Sequence, residues 1–227
     1  MQSLAIFDID GTIFRKNLHF ELINQLVLMG VFPQEVRDKL IKLYSSWLEH
    51  EGTYGQYRDA LVRLYAENIP GVSSDTVKIA SQRMIEFHKK RTYIFAERLI
   101  KHLRNKNYYI ISVSGSPVEA VEEYNRAHLN FDEVFGTVYE KVNGKYTGQE
   151  TDTPVLDKGK FIKNYMKEKG FVKKDSYGIG DTKSDASFLK LMDNPIAFNP
   201  DAELKSIAEV KNWKIKVERK DVVYDIV

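Results

Sequence analysis

Apolar and polar positions alternate in blocks along the chain, and the blocks predict strands and helices. The first block, residues 4–7, is a short apolar run that ends at polar residues, which is typical of a fully buried strand of a parallel sheet. From about residue 95 onward, similar runs alternate with helical patterns, which predicts a parallel sheet covered by helices. The later strands are predicted at 108–113, 134–142, 145–147, 176–179, 196–198 and near Trp213, and the helices at 95–104, 117–129, 158–169 and 184–192.

The stretch from about residue 18 to 90 has helical periodicity and no convincing strand. Pro33 fits the first turn of one helix, and Ser73 or Ser74 fits the cap of another. We therefore expect a helical cap domain of residues 15–91, inserted into a core domain of residues 1–14 and 92–227. The aromatic residues of the insertion have helical spacing, which favours packing in its own core, with substrate stacking as the alternative. They are Trp47, Tyr54 and Tyr57.

Composition excludes several classes of function. The 227 residues carry 34 basic and 32 acidic side chains, and a net charge of +2 gives no field that favours nucleic acid or membrane partners. Cysteine is absent, which excludes disulfides, thiolate metal sites and cysteine nucleophiles. No apolar stretch is long enough to cross a bilayer, and the first strand leaves no room for a signal peptide, so a cytoplasmic location is expected. The oligomeric state is not predicted.

Two carboxylates, Asp8 and Asp10, follow the first strand directly and precede Gly11. The period of two along a strand directs both to one side, while Ile9 returns to the core. Two acids in one crevice need a cation, and a carboxylate can attack phosphorus beside Mg²⁺ that is held by carboxylates and phosphate oxygens. The motif therefore indicates either phosphoryl transfer or an ordinary polar exit from a strand. An EF-hand loop does not fit, because glycine falls fourth and Phe20 lies near the place of the final glutamate.

Polar residues also follow two later strands, at the edge where open α/β sheets bind ligands. Residues 114–117, Ser-Gly-Ser-Pro, are expected to open a helix and to offer a hydroxyl and amides to an anion, although serine before proline is also an ordinary cap. Residues 180–185 include two acids, of which Asp181 is expected beside Asp8; their glycine and lysine spacing is not that of a P-loop. Lys158 begins a helix, where a cation could neutralise a transferring phosphoryl group.

Four motifs, taken in chain order, resemble those of the haloacid dehalogenase (HAD) superfamily of phosphatases. They are Asp-x-Asp-Gly-Thr, Ser-Gly-Ser-Pro, Lys-Gly and Gly-Asp-x-x-x-Asp. The resemblance covers the whole chain and is nearest to the phosphoserine phosphatase branch with a helical C1 cap. It implies a HAD-like Rossmannoid core: an α/β fold with a doubly wound, mostly parallel sheet and a cap inserted after the first strand. It also implies an Mg²⁺-dependent phosphatase that hydrolyses a small-molecule phosphomonoester through an aspartyl-phosphate.

By this resemblance Asp8 is the nucleophile, and Asp10 protonates the leaving group and then activates water. Mg²⁺ would be held by Asp8, by the main-chain carbonyl of Asp10 and by Asp181. Asp185 would orient Lys158 or a metal-bound water. Because halide needs no proton when it leaves, the acid at position 10 favours phosphate esters over dehalogenation. The residues expected to bind phosphate or substrate are Thr12, Ser114, Gly115 and Lys158, with Lys160 in reserve for Lys158.

The substrate is less defined, because the phosphoserine enzymes carry a glutamate for the substrate amine where this chain has Asn17, with Glu21 one turn later. This departure argues against phosphoserine. Four cations could meet a substrate carboxylate or second phosphate, or be solvated surface charges. They are Arg15, Lys16, Arg58 and Arg63. The five histidines, of which His19 lies near the expected cap entrance, lack metal-ligand spacing and are interpreted as structural.

Two alternatives from other classes remain open. A phosphotransferase or phosphomutase would use the same motifs but shield its aspartyl-phosphate from water. A non-catalytic phosphate-binding module is disfavoured, because such a module is expected to lose Asp8 or Asp10, and this chain keeps both.

Overall fold

The computed structural model describes residues 2–152 and 154–226, which contain an eight-stranded sheet. The strands are β1 (Leu4–Phe7), β2 (Tyr109–Pro117), β3 (Glu133–Val142), β4 (Lys145–Asp152), β5 (Tyr177–Gly180), β6 (Asn194–Phe198), β7 (Lys214–Arg219) and β8 (Val222–Ile226). They lie in the order β4-β3-β2-β1-β5-β6-β7-β8. Only the pairings of β4 with β3 and of β8 with β7 are antiparallel among those described. The predicted mostly parallel α/β fold is confirmed.

Helices cover both faces of this sheet. They are α1 (Leu18–Leu28), α2 (Gln34–Leu48), α3 (Tyr54–Asn68), α4 (Ser74–His88), α5 (Ile94–Asn105), α6 (Val118–Tyr124), α7 (Lys158–Lys169), α8 (Ala186–Leu189) and α9 (Ala202–Lys211). Helices α1 to α4 lie between β1 and β2, as predicted for the insertion. Ser73 caps α4 as predicted, whereas Pro33 is the N-cap residue of α2, with extended backbone, rather than part of its first turn.

The period of two along β1 divides the core into two layers. Ala5 and Phe7 belong to a cluster that includes α5, α6 and the inserted helices, while Leu4 and Ile6 belong to a second cluster with α7, α8 and α9. All four side chains are fully buried. Because the inserted helices share a hydrophobic cluster with the sheet, the division into a cap and a core domain stays a prediction.

The two ends of the helical insertion are held side by side. Arg15 N–H donates to the Arg91 carbonyl at 2.9 Å, and Tyr93 N–H donates to the Ile13 carbonyl at 3.0 Å. These bonds join the segment between β1 and α1 to the segment just before α5. The chain therefore leaves and re-enters the sheet region next to the carboxylates that follow β1.

A second attachment joins the insertion to the β3–β4 hairpin. Gly71 N–H donates to the Tyr146 carbonyl at 2.8 Å, and Tyr146 N–H donates to the Val72 carbonyl at 2.9 Å. The hairpin turns at Asn143 and Gly144, both with positive φ, which confirms the predicted turn. The loop between α3 and α4 is thus fixed to the edge of the sheet.

Helix α6 follows residues 114–117 as predicted, with Pro117 as its N-cap residue, but the four residues themselves are extended. Strand β2 continues to Pro117, with a shift of register between Val113 and Pro117, and α6 begins only at Val118. The predicted helix over 117–129 is also interrupted, because Asn125–Leu129 forms a π-helical turn. Ser114 and Ser116 therefore lie in extended backbone, two residues apart, and face the same way.

The predicted helix over 184–192 is shorter in the structure. A 3-10 turn, Lys183–Asp185, comes first, and α8 follows it. The physical reason is the Asp185 carboxylate, whose Oδ2 accepts the N–H groups of Asp181 and Thr182 at 3.0 Å each and so fixes the turn. Helix α9 and strand β8 were not predicted.

Candidate active site

Asp8 and Asp10 follow β1 at the centre of the sheet, between the carboxyl ends of β2 and β5. Asp8 N–H donates to the Ile179 carbonyl at 2.9 Å, which extends the pairing with β5 by one residue. Ile9 is fully buried, as the period of two predicts. The Asp8 carboxylate is therefore attached to backbone that is bonded to the sheet.

A buried lysine joins two of the acids. Lys158 Nζ lies 2.6 Å from Asp8 Oδ1 and 2.6 Å from Asp185 Oδ1. All three side chains are buried, and Lys158 is the first residue of α7. The reserve residue Lys160 is exposed. The structure thus places Lys158, and not Lys160, at the site, and it places Asp185 where it orients Lys158.

Asp181 lies beside this pair. Ligand oxygens of Asp8, Asp181 and Asp185 lie within 4.8 Å of one another. Thr12, which is fully buried, donates from Oγ1 to Asp181 Oδ1 at 3.3 Å. Thr12 therefore contacts Asp181, one of the three clustered acids.

The Asp10 carboxylate accepts hydrogen bonds from a different set of donors. Its Oδ1 accepts the Leu18 N–H at 2.6 Å, and its Oδ2 accepts the Ser114 and Ser116 hydroxyls at 2.8 and 2.7 Å. The carboxylate is thus fixed by the start of α1 and by β2. Ser116 was not predicted; the signal was its position two residues after Ser114 in what proves to be a strand.

Gly115, the remaining residue of this predicted set, holds the end of β2 to its neighbour. Its carbonyl accepts the Thr137 hydroxyl of β3 at 3.0 Å. This bond stabilises the extended segment that carries both serines. The contact of Gly115 with a substrate stays a prediction.

Crowded carboxylates shift the pKa values at the site. Burial raises the pKa of Asp8 to about 8, opposed by the Lys158 ammonium and reinforced by the charges of Asp185 and Asp10. Burial and then the charge of Asp8 raise the pKa of Asp181 well above its usual value. Burial also raises the pKa of Asp10, against the hydrogen bonds from Leu18 and the serines. Burial works to lower the pKa of Lys158, but Asp185 and Asp8 outweigh it and keep the amine charged.

The charge balance and the donor set fit a divalent cation. The three clustered carboxylates face a single lysine in the described part of the site, so negative charge is in excess when all are ionised. Carboxylate oxygens are ligands that Mg²⁺ prefers. The cluster contains the predicted ligands Asp8 and Asp181, with Asp185 as the third acid, while the Asp10 carboxylate is occupied by other donors.

This arrangement predicts that Mg²⁺ stabilises the protein more as the pH rises. Asp8 has a pKa of about 8 in the folded protein and an ordinary value of 3.8 in the unfolded chain. Its contribution to stability is therefore fully present below about pH 4 and is lost as the pH rises through 8. Cation binding needs the ionised form, so the increase in Tm caused by Mg²⁺ should grow between about pH 5 and 8. Thermal unfolding with Mg²⁺ or with a chelator measures it. In Asp8→Asn the increase should be smaller and flatter; an equal, pH-independent increase in both proteins would contradict this account.

Gly11 allows the turn after Asp10 to pass close to Asp181. Its φ is +84°, and a Cβ on it would lie 2.0 Å from Asp181 Oδ2. A side chain here is therefore excluded twice, by the backbone conformation and by the acid.

Gly11→Ala should consequently cost more stability than an alanine in a similar turn with free space. Gly30 is the matched control, with φ +71° and no neighbouring atom within 4 Å of the place that a Cβ would take. Urea unfolding should show a loss of about 1 kcal/mol for Gly30→Ala and about 3 kcal/mol or more for Gly11→Ala. Equal losses would show that the contact with Asp181 is unimportant.

A cleft of about 1050 Å³ opens in front of these residues. Its floor includes Lys158 and Asp181, and aromatic side chains of α2 and α3 line its other side. Trp47 and Tyr54 are half-buried, whereas Tyr57 is buried. These rings pack on one another, as expected, and they also form a wall of the cleft, so substrate stacking stays open as the alternative.

The residues predicted to determine specificity lie in different places in the structure. Asn17 and Glu21 both line the cleft; Asn17 caps α1 by accepting the Phe20 N–H at 2.9 Å. Arg15, Lys16 and Arg58 line it too, whereas Arg63 lies in a separate groove between α2 and α3. His19 is buried, which lowers its pKa to about 3, and so it is a neutral part of the core.

Comparison with known proteins identifies the family and the fold. The family model described as haloacid dehalogenase-like hydrolase matches residues 5–190. The chain belongs to this family. Its fold is that of a solved structure described as a phospho-aspartyl intermediate analogue of phosphoserine phosphatase, with a TM-score of 0.65 at 24% identity over 97% of this chain and 95% of that one.

Two relatives that are similar in sequence are named as phosphatases. A histidinol-phosphatase of Neisseria meningitidis is 25% identical over 95% of this chain and 98% of its own length. A phosphoserine phosphatase of Methanocaldococcus jannaschii is 31% identical over 51% of this chain and 55% of its own length. The resemblance to HAD phosphatases is confirmed, and the predicted class of phosphoric monoester hydrolase is consistent with these names. In the described residues, no helix is long and apolar enough to cross a membrane.

Proposed function

We propose that this HAD-family hydrolase is an Mg²⁺-dependent phosphatase that cleaves a small-molecule phosphomonoester through an aspartyl-phosphate on Asp8. One observation carries the proposal: the Asp8 carboxylate lies 2.6 Å from the Lys158 ammonium and within a cluster of buried acids beside a large cleft. A carboxylate so placed can attack phosphorus, while the lysine offsets charge on the transferring oxygens. The names of the two relatives support a small phosphate ester as substrate.

Asp8 and Asp10 would divide the chemistry between them. Asp8 attacks phosphorus and forms a P–O bond as the ester oxygen leaves, and Asp10 donates the proton that this oxygen needs. Asp10 then takes a proton from the water that hydrolyses the aspartyl-phosphate. Its raised pKa and its fixed position between Ser114 and Ser116 support both steps.

The remaining residues would position these two acids. Lys158 holds Asp8 and is itself oriented by Asp185, and Thr12 holds Asp181. Asp8 and Asp181, with the Asp10 carbonyl, are the proposed Mg²⁺ ligands. The ion, when bound, would offset the negative charge of the acids and of the phosphate.

We also propose that residues 15–91 act as a cap over the core formed by 1–14 and 92–227. The adjoining ends of the insertion at Arg15 and Arg91 support this, since they lie beside the acids. A cap at this place would exclude large substrates and water. A cytoplasmic location and the absence of nucleic acid partners stay predictions.

The test is phosphate release from a panel of small phosphomonoesters, with Mg²⁺ or with a chelator. Turnover that needs Mg²⁺ supports the proposal. No release from any ester, or release that is slow until an acceptor alcohol is added, would favour the binding-module or phosphotransferase alternative.

A further inference from the structure

Aromatic rings form one continuous wall of the cleft. Tyr44 and Trp47 come from α2, Tyr54 and Tyr57 from α3, and Phe20 from α1. Neighbouring ring centroids lie 5.4 to 6.1 Å apart, and Trp47 and Tyr57 are stacked at 5.6 Å with an interplanar angle of 19°. Tyr44 keeps 40% of its surface exposed. The wall therefore offers unused ring surface to a ligand.

This wall begins beside the catalytic acids. Asn17 and Tyr54 line the same cleft as Lys158 and Asp181. The cleft, about 1050 Å³, is far larger than a phosphate group. An organic group attached to a phosphate at Asp8 would therefore extend along the rings.

Two cations of the cleft are paired with buried glutamates. Arg15 lies 2.5 Å from Glu218, and Lys16 lies 2.5 Å from Glu21, and both glutamates are buried. Diverting Arg15 to a ligand would leave the buried Glu218 carboxylate without its cation, which is costly, and diverting Lys16 would leave Glu21 with the His88 imidazole at 3.2 Å as its remaining salt-bridge partner among the described residues.

The other two cations of the described cleft wall are paired with exposed acids. Arg58 pairs with Asp59, and Lys183 pairs with Glu203, with both members of each pair exposed. Exposed cations bind an anion only weakly. Apart from Lys158, which is buried between Asp8 and Asp185, the described cleft lining offers no buried cation for a second anionic group, and its other four cations are each paired with an acid.

We propose that the cleft selects a phosphomonoester whose organic part carries a positive charge on or beside a flat ring and carries no carboxylate. The inference rests on the proposed function and specifies its substrate class. Tyrosine and tryptophan faces attract cations and stack on flat rings. L-Histidinol phosphate, with an imidazole ring and an ammonium group, has this chemistry, whereas phosphoserine has a carboxylate and no ring.

Four esters separate these features: L-histidinol phosphate, phosphoethanolamine, phosphoserine and glycerol 3-phosphate. We expect kcat/KM to be highest for histidinol phosphate, by about tenfold or more over phosphoserine, with phosphoethanolamine between them. Phosphoserine as the best substrate would overturn the inference while leaving the proposed phosphatase function intact.

Ring variants test the wall itself. Trp47→Leu should raise KM for histidinol phosphate about tenfold, and more than it raises KM for glycerol 3-phosphate. Tyr44→Leu, at an exposed position, should shift KM in the same direction if Trp47→Leu folds poorly. Phe87→Leu is the matched control, because Phe87 is 75% exposed and lies outside the cleft lining. Equal increases in KM for both esters would contradict stacking on the wall.

Binding can be measured without turnover. In Asp8→Asn combined with Trp213→Phe, Trp47 is the remaining tryptophan of the two in the chain. Its fluorescence should change saturably with histidinol phosphate and at least about tenfold less tightly with phosphoserine. If no ester is hydrolysed by the native protein but this preference is observed, the phosphatase proposal fails and the inference stands. Equal affinity for both esters would overturn it.

Discussion

Replacement of Asp8 by asparagine is expected to lower phosphatase turnover by on the order of 10⁴-fold or more, while leaving the protein folded. The amide has the shape of the carboxylate but cannot form the acyl-phosphate bond. Lys158 keeps its second partner, Asp185, at 2.6 Å, so its charge is not left alone in the interior. Phosphate release with Mg²⁺ and a urea unfolding curve measure the two effects separately.

The matched control is Asp38→Asn, which makes the same chemical change at a position of α2 outside the cleft lining. It should leave turnover unchanged. If Asp8→Asn kept a substantial part of the native rate, Asp8 would not be the nucleophile, and a water molecule attacking the ester directly would become the better explanation.

Lys158→Met is expected to have the second largest effect, and on both stability and rate. It removes the ammonium from between Asp8 and Asp185 and leaves the buried Asp185 carboxylate without its cation. Without Mg²⁺ near neutral pH, the free energy of unfolding should fall by about 3 kcal/mol or more. Turnover should fall about 10²-fold to 10³-fold, because charge on the transferring group loses its cation.

Lys160→Met is the natural control, because Lys160 lies two residues away on the same helix and is exposed. Its unfolding free energy should change by less than about 0.5 kcal/mol. Adding Asp185→Asn to Lys158→Met should restore part of the lost stability by removing the Asp185 charge that Lys158→Met leaves unpaired. Equal effects of the two lysine variants would contradict the assignment of Lys158.

The sequence predicted where the site lies because parallel strands end at one edge. Asp8, Ser114 and Asp181 each follow or end an apolar run, and the order of these runs along the chain indicates that the three residues lie near one another. Lys158 was located by its place at the start of a helix. These residues could be identified because short-range patterns in the sequence mark them.

The partners of these residues depend on contacts that span long distances in the chain. Arg15 pairs with Glu218, and Asp10 accepts a bond from Ser116, at separations of 203 and 106 residues. No local sequence pattern indicates which distant residues form such pairs. The sequence therefore identified the cations near the cleft but not that they are already neutralised, which is the fact that bears on the substrate.

Helix α9 and strand β8 were missed for a different reason. The buried side chains of α9 are Leu204 and Ala208, too few to give a strong helical pattern, although Asp201 at its N-cap was a usable signal. In β8 the side chains of Val222, Tyr224 and Ile226 are exposed, so apolar alternation there does not mark a core.

The most direct test of the account is to trap the phosphorylated enzyme. The native protein would be mixed with Mg²⁺ and excess substrate, quenched with acid during turnover and reduced with borohydride, which converts an aspartyl-phosphate to homoserine. Peptide mass spectrometry would then locate the change. We predict homoserine at position 8, and none in Asp8→Asn. Steady turnover with no modified residue, or with modification at another carboxylate, would contradict the central claim that Asp8 carries the phosphoryl group.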